Sequence, residues 1–431
     1  MKVSILKVLM GDVPVGHLFQ YGDIVRLSVD PEYVQNPERP TLSLSLVADD
    51  PEQQAALLLD PLQPALNSLG NGKLPAFFQN LLPEGVLRTH IAQERGCAED
   101  DHFEILAACG EDLPGNVYAL PTHDKDIVAR LITQRQDPVE MSIVADPLED
   151  GTSLSGMQPK LALIREGGRF VVARHLEGGH VIGKLPTALY DYLPQVEELS
   201  LRLARAAGAN VCQASLQPMN LISVEHNFVV GKTDQFLAVE RFDRDQPGRV
   251  HAEDFAQVLG IDPSHKYSGG TYADVARVLS VIDTIGQEGV HELVRRLAIN
   301  ELLGNLDCHL KNIGILHHAD RTVHLSPAYD IVAYCVYRNG VGHALKFAPD
   351  SPKRQILDPK TLRSFANAVG VPEAPMRRVI KDVCEAALDS WPKMIEMSDI
   401  LPEQKTRLMD FFMGRPLMQS LVTRRNRTLA Q

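Results

Sequence analysis

Apolar residues dominate positions 2–10, and Thr41-Leu42-Ser43-Leu44-Ser45-Leu46 alternates strictly. Both patterns predict strands, the second with its leucines on one face. From 52 to 109 the spacing is helical, punctuated by Pro83 and Gly96. A polar stretch over 121–150, with Asp124, Asp126, Asp137, Asp146, Glu149 and Asp150, reads as a junction. Strand patterns then return. Lys160-Leu161-Ala162-Leu163-Ile164 and Arg169-Phe170-Val171-Val172-Ala173 flank Glu166-Gly167-Gly168, a hairpin signal. Positions 180–184 predict a strand ending before Pro186, 195–207 a helix closed by Gly208, and 236–242 a further strand. Beyond Asp254 strand signals nearly vanish, and Val290, Leu293, Val294, Leu297, Ala298 and Leu302 fall at helical spacing. A sheet-rich part before a helical part predicts an α+β chain of two lobes, with a ligand cleft between them.

Charge narrows the function. The 431 residues carry 43 Lys plus Arg against 55 Asp plus Glu, a net charge of −12. Such a chain does not coat bare nucleic acid by itself; any contact with DNA needs a local basic patch or a basic partner. The six cysteines (Cys97, Cys109, Cys212, Cys308, Cys335, Cys384) are scattered with no CxxC pair, the usage of a reducing compartment. Lys7 and Asp12 break the N-terminal apolar run, and no stretch approaches ~18 apolar residues. The expectation is a cytoplasmic protein with no membrane span.

The chemistry concentrates after the periodic helix, where Gly304 is followed by Asn305-Leu306-Asp307-Cys308-His309-Leu310-Lys311-Asn312. Pro327-Ala328-Tyr329-Asp330 follows a hairpin pattern made by Ile313-Gly314-Ile315-Leu316 and Thr322-Val323-His324-Leu325. In protein kinases a catalytic-loop Asp accepts the substrate hydroxyl proton, an Asn five positions later binds Mg²⁺, and a second Asp holds the phosphate-bridging metal. Asp307, Asn312 and Asp330 reproduce that order. Alone, Asp307 and Asn312 would be explained as turn residues after a helix; Asp330 behind the hairpin favours metal and phosphate chemistry, since Mg²⁺ takes oxygen ligands.

A kinase also needs a strand lysine paired with a helix glutamate. Lys184 ends a strand and Glu197 opens the next helix. The plain alternative is an exposed strand-end charge and a first-turn Glu favoured by the helix dipole. Gly151-Thr152-Ser153-Leu154-Ser155-Gly156 precedes a strand and is suited to cover phosphates with backbone N–H groups, though it is not a GxGxxG loop.

These residues resemble the HipA-type serine/threonine kinase toxins of bacterial toxin–antitoxin modules. The matching blocks are Pro75-Ala76-Phe77-Phe78-Gln79-Asn80-Leu81-Leu82-Pro83-Glu84, Ser153-Leu154-Ser155-Gly156-Met157-Gln158-Pro159-Lys160 and Leu237-Ala238-Val239-Glu240-Arg241-Phe242-Asp243-Arg244. Glu253-Asp254-Phe255, Lys266-Tyr267, 305–312 and Ser326-Pro327-Ala328-Tyr329-Asp330 extend the match over most of the chain. The resemblance implies an α+β, two-lobed protein-kinase-like fold with a small N-terminal β-rich subdomain (1–150), a kinase N-lobe with phosphate loop and hinge (151–245) and an all-helical C-terminal lobe (246–431). It implies Asp307 as catalytic base, Asn312 and Asp330 as Mg²⁺ ligands, and Lys184 as the ATP-phosphate lysine. Glu240, Arg241 and Phe242 become the hinge whose backbone holds adenine. Ser153 becomes the autophosphorylated serine of a loop that, with Leu154, Ser155 and Gly156, covers ATP.

It further implies growth arrest through phosphorylation of a serine on a cellular protein, glutamyl-tRNA synthetase in the family. The partner is a helix-turn-helix antitoxin, with operator DNA reached through that complex, which would bring the protein to the nucleoid. Two other readings remain: a catalytically idle kinase fold acting as corepressor, and a small-molecule phosphotransferase. His309 is expected to brace the catalytic loop through hydrogen bonds, and Lys311 either neutralises the transferred phosphoryl group or is solvated. The spacing of His309, His317, His318 and His324 with Cys308 fits no structural zinc pattern. Arg424-Arg425-Asn426-Arg427 reads as a solvated tail or as a contact to operator phosphate. Trp391 is expected in the helical core.

Overall fold

In the computed structural model, residues 2–68, 70, 72–122, 140–142, 158–172, 179–223, 231–245 and 248–429 are described. The N-terminal part is a sheet ordered β4(Asn67–Ser68)-β3(Ile24–Val29)-β2(Val13–Tyr21)-β1(Lys2–Met10)-β5(Val117–Pro121). A further strand, β6(Glu140–Ser142), pairs with β1 in parallel, whereas β2 and β5 flank β1 antiparallel. Leu6, Val8, Leu18, Val25 and Leu27 are buried from this sheet against Phe103, Leu106 and Phe78 of the helices His102–Cys109 and Ala76–Leu81. The helical stretch is thus four helices (Pro51–Leu59, Ala76–Leu81, Gly85–Arg95 and His102–Cys109) interrupted by β4.

The second sheet is antiparallel throughout, in the order β10(Ala214–Pro218)-β11(Gln235–Glu240)-β9(Val181–Lys184)-β7(Lys160–Glu166)-β8(Arg169–Val172). The helix Leu193–Ala206 follows β9 and buries Val196, Leu199 and Leu203 on one stripe, at the spacing a packed helix requires. The C-terminal part is built on the helices Gly286–Leu303 and Glu373–Glu396. Trp391 is fully buried there, and its indole N–H donates to the Leu203 carbonyl at 2.9 Å. Among the described residues no helix is long and apolar enough to cross a membrane.

Two expectations change. The helical lobe carries a three-stranded antiparallel sheet of His251–Asp254, Gly314–His317 and Val323–Leu325, the last two being the hairpin anticipated ahead of Asp330. The alternating run 41–46 is not a strand: it is a loop ending in the one-turn helix Leu44–Leu46. Its alternation places Leu42 and Leu46 in the N-terminal core, but instead of forming a ladder two of its backbone groups meet side chains of the 251–254 strand and others bond within the loop. The Leu44 N–H donates to Glu253, and the Leu42 carbonyl meets His251 Nε2 at 2.9 Å.

The N-terminal part is locked to the rest through buried charge. Asp112 pairs with Arg241 (3.0 Å) and Arg244 (2.8 Å), and Asp243 accepts from both arginines and from the Gly115 N–H. Gly115 (φ +71°) is required at this junction, because a Cβ there would lie 2.6 Å from the Ala252 nitrogen.

Candidate functional site

The two lobes meet around Lys184. It is the last residue of β9, in register with Lys160 on β7 and Leu237 on β11. Its ammonium donates to both Glu197, on the buried face of the helix Leu193–Ala206, and Asp330. Burial works against the Lys184 charge, but Asp330 and Glu197 hold it protonated far above the usual lysine range. Burial likewise disfavours the Asp330 carboxylate, yet Lys184 and then Lys160 keep it ionised well below the carboxylate range. Asp330 has φ +51°, a costly backbone conformation for a non-glycine residue, concentrated at functional sites. The hydroxyl of Ser200, three residues after Glu197, accepts the Ala333 N–H at 3.0 Å, so one helix positions both ends of this charge network.

The opposing wall is the loop after Gly286–Leu303. Gly304 closes that helix at φ +63°, where a Cβ would meet Cys335 and Phe411 at 2.9 Å. Asn305 then donates to Asn300 Oδ1 (3.0 Å) and accepts the Asp307 N–H (3.1 Å). The Asn312 amide donates to the Asp307 carbonyl at 2.7 Å, which commits its nitrogen and leaves Oδ1 as the atom that could hold a metal. Tyr272 holds the Cys308 carbonyl (2.8 Å), Tyr329 that of Lys311 (2.9 Å) and Arg354 that of Leu306 (2.9 Å). A loop pinned at so many points is preorganised. The Asp307 carboxylate accepts a hydrogen bond from the Tyr267 hydroxyl.

Other anticipated residues border the cleft but are engaged differently from what the resemblance implies. Lys311 does not offer its ammonium to a transferred group: it is buried, donates to the Asn80 carbonyl (3.0 Å) and pairs with Glu84 (3.1 Å). His309 braces the loop through its backbone N–H to the Asp307 carbonyl (2.8 Å) and a ring contact with Tyr267 at 4.8 Å. Its ring Nδ1 has no hydrogen-bond partner, and burial pushes the imidazole down to about 4, so it is neutral at pH 7. At the anticipated hinge, the N–H groups of Glu240 and Arg241 are already given to the Gln213 and His180 carbonyls. The Glu240 side chain takes Arg165 at 2.5 Å, Arg241 lies in the buried charge cluster with Asp112, and Phe242 packs on Tyr329. The loop residues Ser153, Leu154, Ser155 and Gly156 lie outside the described residues.

Two adjoining cavities share Lys160, Lys184, Glu197 and Asp330. One, of about 170 Å³, runs beneath 239–243 against Ile182 and Ile315. The other, of about 310 Å³, is bounded by Glu84, Lys266, Tyr267, Asp307 and Asn312. An apolar chamber joined to a charged one through a lysine–carboxylate network suits an elongated ligand with a flat ring at one end and anionic groups at the other.

Three contributors carried no assigned role in the sequence. Glu84 reaches in from the N-terminal part to pair with Lys311 and Lys266, Tyr267 holds Asp307, and Lys160 lies beside Lys184. All three fall inside the matching blocks quoted above. No local spacing links them to the loop, since Asn80 and Lys311 are 231 positions apart.

A strand lysine shared between a helix glutamate and a post-hairpin aspartate, facing an Asp–Asn loop, places the molecule among the phosphotransferases of the kinase class. Comparison with known proteins agrees. Residues 152–391 match the model of the HipA-like C-terminal domain, and residues 6–120 that of the HipA N-terminal domain. The chain is 35% identical over 343 residues to the Sinorhizobium fredii protein named "Putative kinase Y4dM", covering 79% of each. It is 28% identical over 360 residues to a second protein of that organism, "Putative kinase Y4mE", covering 78% of this chain and 82% of that one. Its fold is similar to that of Shewanella oneidensis HipA, solved with HipB and operator DNA, with a TM-score of 0.68 at 21% identity over 95% of this chain and 96% of that one. The chain belongs to the HipA family of kinase toxins.

Proposed function

We propose that the chain is an ATP- and Mg²⁺-dependent protein kinase that transfers the γ-phosphate to a serine hydroxyl of a cellular protein. The observation that carries this reading is the joint engagement of Glu197 and Asp330 by Lys184, across one cleft from Asp307 and Asn312. The oxygen-only pair of Asn312 Oδ1 and the Asp330 carboxylate, on two segments converging on that cleft, fits a Mg²⁺ ion, which when bound neutralises charge on the phosphate oxygens. Lys184, flanked by Lys160, supplies fixed positive charge to the phosphates without needing to reorganise. Asp307 accepts the serine proton as the serine oxygen attacks phosphorus, and Tyr267 holds the carboxylate in place for that step. The apolar chamber beneath 239–243 receives the adenine.

By family resemblance the acceptor is glutamyl-tRNA synthetase, and the outcome growth arrest in the cytoplasm. Shewanella HipA was solved with HipB and operator DNA. By that likeness a helix-turn-helix antitoxin restrains this chain and carries it to operator DNA as corepressor, with basic side chains of the partner offsetting a net charge of −12. Ser153 is the site at which the kinase modifies itself, adding about −1.5 to −2 charges where the ATP phosphates belong.

The test is incubation with γ-labelled ATP, Mg²⁺ and a bacterial lysate, followed by phosphoamino acid analysis and peptide mass spectrometry. Label on phosphoserine of a protein, and on the kinase within 151–156, is the expected result. ATP binding without any transfer would make the chain an idle corepressor. Label confined to small molecules would make it a metabolite phosphotransferase.

A further inference from the structure

Behind the chamber beneath 239–243, a second group of side chains converges where the loop 41–47 meets the small sheet of the helical lobe. His251 and Glu253 alternate on one strand and so share a face, and His317 stands directly opposite His251 on the antiparallel neighbour. One potential ligand atom from each of the three lies within 4.8 Å of the other two. We propose that His251, Glu253 and His317 form a binding site for a divalent transition-metal ion, of the chemistry of Zn²⁺, that fastens the N-terminal part to the helical lobe.

Three features beyond proximity support this assignment. First, His251 is buried, and its Nε2 lies 2.9 Å from the Leu42 carbonyl. With the ring proton donated there, Nδ1 carries the lone pair, and it has no hydrogen-bond partner. Metal-binding histidines are oriented in this way, one nitrogen donating to a carbonyl while the other ligates. Second, the Glu253 carboxylate is fully buried and accepts the Leu44 N–H (3.3 and 3.1 Å to its two oxygens), which fixes its orientation. Third, His317 and Glu253 already approach to 2.8 Å, through Nε2 and Oε2, so coordination needs only that the proton between them leave or move to Nδ1.

Two imidazoles and one carboxylate select a borderline ion over Mg²⁺ or Ca²⁺, which prefer oxygen. Three protein ligands leave a fourth position for water. His251 and His317 line a cavity of about 810 Å³ with the 41–47 loop, which gives an ion a way in. Because Leu42 and Leu44 orient two of the ligands, an ion held there would tie that loop to the sheet. None of the three residues borders the Asp307 chamber, but Glu253 also borders the chamber beneath 239–243, so His317→Ala is the variant that separates the metal site from the cleft.

The experiment uses the full chain, free of any histidine tag and dialysed against chelator. Zn²⁺ is returned and bound metal counted by mass spectrometry; Co²⁺ serves as the spectroscopic probe, and thermal unfolding is followed with and without metal. The expected result is one Zn²⁺ per chain, visible Co²⁺ absorption bands of a low-coordinate nitrogen–oxygen site, and a raised Tm. Both His317→Ala and Glu253→Gln should weaken Zn²⁺ binding at least about tenfold, the lower end of what loss of a group merely supporting a ligand costs. The His317 side chain is 11% exposed against 0% for Glu253 and lines the open cavity, so its variant is expected to fold, which keeps the test open if Glu253→Gln does not. Failure of the wild-type chain to retain Zn²⁺ would overturn the proposal. Equal retention by wild type and His317→Ala would overturn it as well.

Discussion

Replacing Glu84 by Gln tests whether the N-terminal part holds the catalytic loop by charge. Glu84 pairs with Lys311 at 3.1 Å and Lys266 at 2.7 Å, and only 2% of the Lys311 side chain is exposed. Burial would raise the Glu84 carboxyl, but Lys311 and Lys266 outweigh it and hold it at about 2 against an ordinary 4.5. At about 1.4 kcal/mol for each tenfold change in proton affinity, that difference corresponds to about 3 kcal/mol of stabilisation at pH 7. Because the folded value is the lower one, the stabilisation is complete above about pH 5 and is lost as pH falls from there toward 2. Gln keeps the volume but leaves Lys311 buried without its counter-charge, so Glu84→Gln should cost about 2–3 kcal/mol at neutral pH. The assay is urea unfolding followed through the single, fully buried Trp391, read as a shift in midpoint at unchanged slope. The gap between the two proteins should narrow below about pH 5 and close only toward pH 2. Adding Lys311→Met should cost less than the sum of the single changes. Equal midpoints at pH 7, or parallel pH profiles, would refute the reasoning.

Other outcomes follow from the cleft. Asp330→Asn, which turns a charged ligand neutral, should weaken Mg²⁺-dependent nucleotide binding at least about tenfold by calorimetry, about 1.4 kcal/mol; unchanged affinity would remove its metal role. Tyr267→Phe deletes a hydrogen bond to a charged group and should slow transfer roughly tenfold without altering nucleotide Kd. Ser153→Ala should remain active longer during incubation with Mg²⁺-ATP. Phosphate found only outside 151–156 in the parent chain would argue against self-inactivation.

Much of this arrangement was legible in the sequence because it is written locally. The helix ending at Gly304, the five-residue step from Asp307 to Asn312 and the hairpin before Asp330 each depend on neighbours in the chain. The strand lysine and helix glutamate lie 13 residues apart. What was not legible is what folding brings from afar. Thr41-Leu42-Ser43-Leu44-Ser45-Leu46 alternates like a strand, yet two of its backbone groups bond with His251 and Glu253, and period-two patterning cannot distinguish those partners from a ladder. Lys311 has the place of a catalytic-loop lysine, but Glu84 and Asn80 claim its head group from a segment more than 200 positions away. His317 fits no zinc spacing with its sequence neighbours, because His251 and Glu253 lie on another strand, Glu253 being 64 positions from it.

The central claim is that Asp307 removes the acceptor proton in a cleft assembled by Lys184, Glu197 and Asp330. It is tested most directly by comparing wild type with Asp307→Gln, measuring ATP affinity by calorimetry and label transfer from γ-labelled ATP on the same preparations. Loss of a general base costs about 10²–10⁴ in rate, some 3–5 kcal/mol of barrier, while the nucleotide contacts through Lys184 and Asp330 remain. ATP binding should stay near normal while transfer falls by that factor. Transfer by Asp307→Gln at close to the wild-type rate would contradict the claim.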